Sequence, residues 1–115
     1  MKSFRLLLMA AIMFVSSSLL AQSSETKTDT IKVAGECGMC KNRIQKALKH
    51  EGISSAIWDM ETKVLKVSYS PDKISNDDIQ KKVAALGHDT EKYKAEDDVY
   101  NKLPGCCQYE RKEKN

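Results

Sequence analysis

The strongest constraint on the fold is how the hydrophobic period changes along residues 30–94. It switches between about two and about 3.6 residues, the signatures of strand and helix. Ile31 and Val33 alternate with polar neighbours, which predicts a short strand over 30–34. From Met39 the pattern is helical. Ile44, Ala47 and Leu48 share one face, Lys41, Arg43, Gln45, Lys46 and Lys49 lie elsewhere, and Glu51-Gly52 ends the run. Two strands follow. The stretch 53–60 puts Ala56, Trp58 and Met60 on one side, and 63–69 puts Leu65, Val67 and Tyr69 on one side. Glu61-Thr62 between them predicts a hairpin, and Pro71 stops the second strand. Ser75 with Asp78 three residues later is an acidic form of the capping box. Ile79, Val83 and Leu86 carry that helix to Gly87. A last strand is expected over 88–94, although its composition is poor for one.

Strand, helix, strand, strand, helix, strand is the split βαβ, ferredoxin-like plan of the α+β class. One antiparallel sheet is expected, with two helices on one face. Trp58, Leu65, Val67, Ile44, Leu48, Ile79, Val83 and Leu86 are expected to fill the layer between.

The flanks read differently. Lys2 and Arg5 precede an apolar run over 6–20, and the small residue Ala21 follows. That order is a secretory signal peptide over 1–21, cut after Ala21, with Ser18 as a second option. A membrane anchor is the alternative. Fifteen helical residues span only about 22 Å of a hydrocarbon core of roughly 30 Å. The expectation is therefore a periplasmic or secreted protein with no stable membrane insertion after signal removal. Residues 22–29 read as a flexible leader, 30–94 as the domain, and 95–115 as a C-terminal extension. That extension holds a short helix over 96–103, the vicinal pair Cys106-Cys107 and a charged tail. Without Lys2 and Arg5, the 19 basic residues become 17 against 16 acidic ones, a net charge of about +1. That balance gives no reason to expect nucleic acid or anionic lipid as a partner.

Export would favour disulfides, and four cysteines allow three pairings. A domain of this length can build a core without them, so the cysteines are read as chemistry. Cys37-Gly38-Met39-Cys40 lies where a strand ends and a helix begins. The unpaired N–H groups and the dipole there favour thiolates. Lys41 and Arg43 add positive charge. Two converging thiolates are soft ligands that prefer Cu(I) or Hg(II) to hard cations. With two protein ligands the site stays open, so its ion can be handed on.

Residues 33–40, followed by a basic amphipathic helix, resemble the metal loop of the heavy-metal-associated domain family. Residues 52–59 and 64–71 are similar to that family's later strands. The family includes copper chaperones, metal-binding modules of copper-pumping ATPases and periplasmic mercury-binding proteins. The resemblance covers about residues 30–92. It implies the ferredoxin-like fold, with Cys37 and Cys40 as the metal ligands. The loop departs from the family pattern, with only Gly35-Glu36 before the first cysteine and no methionine there. Met39 is the candidate to fill the apolar hole that methionine plugs. The resemblance also sets His88 beside the metal loop, as a third ligand or a hydrogen-bond partner of a thiolate. The bland alternative is a partly exposed histidine without metal contact. His50 reads as a surface residue.

Cys106 and Cys107 lie outside the family pattern. They are further candidate ligands, a disulfide partner for Cys37 or Cys40, a second ion site, or an unrelated structural pair. A bond between adjacent cysteines is the least expected pairing. Twelve residues from Lys94 to Cys106 reach at most about 40 Å. The expected last strand is only about 17–20 Å long, so a return to the metal loop is permitted but not required.

The favoured reading is a metal carrier and not an enzyme, with Cu(I) the expected ion and Hg(II) or Zn(II) the alternatives. Its expected partner is a metal-transporting membrane protein or another thiol-bearing metal protein. A thiol–disulfide oxidoreductase is the first competitor, disfavoured because Pro71 and Pro104 are poorly placed to face the thiols. A domain stabilised by structural Zn(II) or by disulfides is the second. Nothing pairs a nucleophile with a base or forms a phosphate loop.

Overall fold

The computed structural model describes residues 25–111, so the expected signal peptide lies outside the described residues. Strands β1 (Lys27–Lys32), β2 (Ile53–Trp58) and β3 (Val64–Tyr69) form one antiparallel sheet in the order β1-β3-β2. Ile31 faces Leu65 across one ladder and Trp58 faces Leu65 across the other. Helices α1 (Gly38–Ala47) and α2 (Asn76–Ala85) supply Ile44, Ile79 and Val83 to the core beneath it. Ile31, Leu65, Val67, Tyr69 and Trp58 come from the sheet's inner face. The Trp58 indole N–H donates to the Val33 carbonyl at 3.0 Å, so this buried ring leaves no polar atom unpaired. The capping box is formed as expected. Ser75 Oγ accepts from the Asp78 amide at 3.1 Å, and Asp78 Oδ2 accepts from the Ser75 amide at 3.4 Å. Leu86 is the exception among the expected core residues. It stands just past α2 and is only half-buried.

Two boundaries differ from the sequence reading. First, β1 begins at Lys27, inside the expected leader. Lys27 to Thr30 are polar and give no apolar alternation, but polar contacts hold them. Asp29 Oδ2 accepts from the Tyr69 hydroxyl at 2.6 Å and from Asn76 Nδ2 at 2.8 Å, and Thr28 Oγ1 meets Ser68 Oγ at 2.8 Å. Second, the expected last strand is reduced to one bridge between Val33 and Thr90. The chain turns away at once, because the Thr90 amide donates to the Tyr93 carbonyl at 2.7 Å. Buried Gln80 fixes this turn, its Oε1 accepting from Thr90 Oγ1 at 2.9 Å and from the Lys92 amide at 3.1 Å. Side chains thus take the backbone partners that a strand would need.

Beyond the turn come α3 (Asp97–Asn101) and a single 3₁₀ turn (Gly105–Cys107). This segment folds back on the domain. Leu103, Cys107 and Tyr109 are buried in the same core. Gly87 has φ +108° and lies under Leu103, so a side chain there would be strained and crowded. Tyr109 donates its hydroxyl to the Gly87 carbonyl and accepts from the Asp89 amide, both at 2.8 Å. Arg111 grips both carboxylate oxygens of Asp89, at 3.0 and 2.8 Å, as well as the Ala95 carbonyl and Asp97. Tyr100 adds a hydrogen bond to the Tyr109 carbonyl and an edge-on ring contact. Among the described residues no helix is long and apolar enough to cross a membrane.

Candidate metal centre

The metal loop begins where β1 leaves the sheet. The Ala34 amide donates to the Asp89 carbonyl at 2.9 Å, which ties the loop to the returning chain. Gly35 is buried against Trp58, and a Cβ there would lie 2.8 Å from ring carbons Cη2 and Cζ2. Only glycine lets the loop pass this close to the indole. Cys37 then caps α1 with an extended backbone, φ −135° and ψ 174°, but its side chain caps no amide. Its sulfur lies beside the first-turn N–H groups, and that of Cys40 favours its thiolate.

Three sulfurs converge on this helix end. Cys37 Sγ is 3.5 Å from Cys40 Sγ and 3.4 Å from Cys107 Sγ. All three lie within 4.8 Å of one another, and none is in a disulfide. A trigonal ion with metal–sulfur bonds of about 2.3 Å needs sulfurs about 4.0 Å apart, so the cluster is close to that size. Cys40 and Cys107 are fully buried and Cys37 is half-buried.

The three thiols titrate differently. Burial pushes Cys37 up, but the Cys40 backbone N–H and the neighbouring thiols of Cys107, Cys40 and Cys106 outweigh it, leaving Cys37 at about 7. Burial dominates at Cys40, pushing it up to about 11. Burial also raises Cys107, against the pull of the Arg43 guanidinium. Arg43 in turn is held above its usual value, first by its contact with Cys107 and then by the other two thiols. Arg43 is therefore the cation that faces the cluster, as its position after the motif predicts.

The remaining candidates fall into place around it. Cys106 is exposed and stands outside the group of three, at its rim, its Sγ 3.9 Å from Cys107 Sγ and 3.5 Å from Met39 Sδ. Met39 is 52% exposed and so does not plug an apolar hole. Its place on the outer side of the first helical turn leaves no pocket to fill. His88 is near the loop but is neither the exposed histidine nor a converging ligand. It is fully buried, its Nδ1 donates to the Ala34 carbonyl at 2.9 Å, and its Nε2 accepts from Arg43 at 3.4 Å. Both ring nitrogens are thus used, and burial lowers its pKa and favours the neutral ring. The ring stacks on Tyr109 at 5.7 Å between centroids. His88 positions Arg43 and the loop. His50 accepts from the Gly52 amide at the far end of α1 and has no part in the site. Sequence reasoning missed Tyr109, Asp89 and Arg111, which hold Cys107 in place. The one available signal was an aromatic and a basic residue just after the vicinal cysteines.

The fold and the cluster define a small ferredoxin-like domain that gathers soft thiols at a helix N-terminus. The heavy-metal-associated domain model matches residues 30–89, and the chain belongs to that family. It is 37% identical over 71 residues to a zinc-transporting ATPase of Synechocystis, covering 60% of this chain and 10% of that protein. The chain thus spans about a tenth of that relative's length. The N-terminal domain of a potential copper-translocating P-type ATPase from Bacillus subtilis, solved in its Cu(I)-loaded state, is 31% identical. That match covers 57% of this chain and 85% of that one, with a TM-score of 0.55. Oxidized MerP from Ralstonia metallidurans is 30% identical over 58% of this chain and 96% of its own, also with a TM-score of 0.55. The three protein matches leave about two fifths of the chain uncovered, and the matched family segment ends before Cys106 and Cys107.

Proposed function

We propose that this protein is an exported carrier of a soft metal ion, with Cu(I) its cargo and Hg(II) the nearest alternative. The observation that carries this reading is the convergence of Cys37, Cys40 and Cys107 within 4.8 Å at the N-terminus of α1. Three thiolates make a soft, low-coordinate site. Reduced Cys37 is ionised first and captures the ion, and Cys40 and Cys107 lose their protons to water as they bind. Arg43 and the α1 terminus offset the negative charge of the complex. A partner with its own thiols or methionines then takes the ion by ligand exchange. That partner is a metal-transporting membrane protein or another thiol-bearing metal protein, and the exchange occurs in the periplasm or outside the cell.

A closed, tetrahedral Zn(II) site of four thiolates is less well supported, because exposed Cys106 lies outside the group of three sulfurs that fall within 4.8 Å of one another. The cluster also sits in a domain whose core is complete without an ion. The protein has no catalytic step in this reading.

The test is an anaerobic Cu(I) competition titration of the reduced protein against a chromophoric chelator. One tightly held Cu(I) per monomer is expected. Weak or absent binding by the folded, reduced protein would overturn the reading. Tight Zn(II) that resists chelators and is required for folding would replace it with a structural zinc domain.

A further inference from the structure

Five sulfurs form an unbroken line from the protein surface to its core. Met39 Sδ is 3.5 Å from Cys106 Sγ, Cys106 is 3.9 Å from Cys107, Cys107 is 3.4 Å from Cys37, and Cys37 is 3.5 Å from Cys40. The outer end of the line is exposed and the inner end is buried, with Cys37 a second partly open point. Met39 and Cys106 are open to solvent, Cys37 is half-buried, and Cys107 and Cys40 are fully buried. The inner three account for the proposed ion site. The outer two lie outside it, and they are the most exposed sulfurs of the line, ahead of half-buried Cys37.

We propose that Met39 and Cys106 form an outer relay through which a soft ion enters and leaves the Cys37–Cys40–Cys107 site. This inference rests on the carrier reading above. An ion with metal–sulfur bonds of about 2.3 Å can bridge two sulfurs up to about 4.6 Å apart. Every step in the line is shorter than that, so the ion can hold one sulfur while it gains the next. The ion keeps its oxidation state throughout. Cys106 binds as a thiolate, releasing its proton to water and regaining it when the ion moves on. Met39 has no proton to lose, and its thioether is a soft neutral donor.

A relay lowers the barrier to loading and release alike, whereas an equilibrium ligand changes the affinity. Met39→Leu and Cys106→Ser separate the two, and both positions are exposed, so folding is not at stake. The experiment is stopped-flow exchange of Cu(I) between the reduced protein and a chromophoric chelator, run in both directions, beside the equilibrium titration. Each variant is expected to slow loading and release about tenfold while Kd moves less than about twofold. Cys106→Met, which keeps a soft donor, should recover most of the rate. Wild-type rates in both variants would overturn the relay and leave the carrier reading standing. A weaker Kd that tracks faster release would also overturn it, because the pair would then be ligands of the resting site. If the unmodified protein took up no Cu(I), the carrier reading would fail and the relay with it.

Discussion

Residues 33–40 and residues 103–111 meet at the same three sulfurs, yet different interactions hold them. The loop is shaped locally. Gly35 lies against Trp58, Cys37 starts α1, and the Lys41 amide closes the first turn on the Cys37 carbonyl at 3.1 Å. The tail is fixed at long range. Cys107 sits where it does because Leu103 rests on Gly87, Tyr109 bonds to Gly87 and Asp89, and Arg111 grips Asp89 and Ala95. The lesson is that the third thiol depends on a polar clamp with no thiol chemistry of its own. Damage to the clamp should loosen one side of the site and spare the other.

The largest expected effect comes from breaking the loop side. Replacing both Cys37 and Cys40 with Ser should weaken Cu(I) binding at least about 1,000-fold, about 4 kcal/mol, with the circular dichroism spectrum preserved. Arg111→Ala attacks the clamp and leaves Asp89 with a nearly buried charge. It should destabilise the protein by about 3 kcal/mol in urea unfolding, lowering Tm by roughly 12–24 °C. Wild-type stability in that variant would show that the tail does not need the clamp. Cys107→Ser removes the tail's ligand alone. Cu(I) affinity should fall about 10- to 100-fold, about 1.4–2.8 kcal/mol, in the same competition titration.

The smallest effect is a pH dependence. Burial pushes Asp89 up, but Arg111 and the Ala95 amide outweigh it and hold the carboxyl below its ordinary value of 3.8. A carboxyl depressed in the folded state stabilises fully above its unfolded pKa, and that contribution is lost as pH falls through the folded value. The stability gap between the wild type and Asp89→Asn should therefore be steady from neutral pH to about pH 5 and shrink below about pH 4. Urea midpoints at pH 7 and pH 3 would measure it, and a gap that widened in acid would contradict the assignment.

The same comparison explains what the sequence made legible. The ferredoxin-like plan, the capping box at Ser75 and the placing of Cys37 and Cys40 depend on patterns within one or two turns of chain, where propensity and period are informative. The last strand was misjudged because buried Gln80, on the preceding helix, captures the turn at Thr90. The early start of β1 was missed because Asp29 is held by Tyr69 and Asn76 and not by apolar burial. Met39 was misplaced because helical phase turns it outward. His88 lies beside the loop as the resemblance implies, but its burial and the capture of its ring nitrogens by Ala34 and Arg43 were not legible. For Cys107, chain length fixed only how far the tail can reach. Its position follows from contacts of Tyr109 and Arg111 that no local pattern encodes.

The most direct test of the central claim is sulfur coordination in the Cu(I)-loaded protein, read by X-ray absorption fine structure. The account predicts three sulfurs at about 2.3 Å in the wild type and two in Cys107→Ser. Two sulfurs in both proteins would contradict it, because the metal centre would then be the loop alone and the buried Cys107 a part of the core.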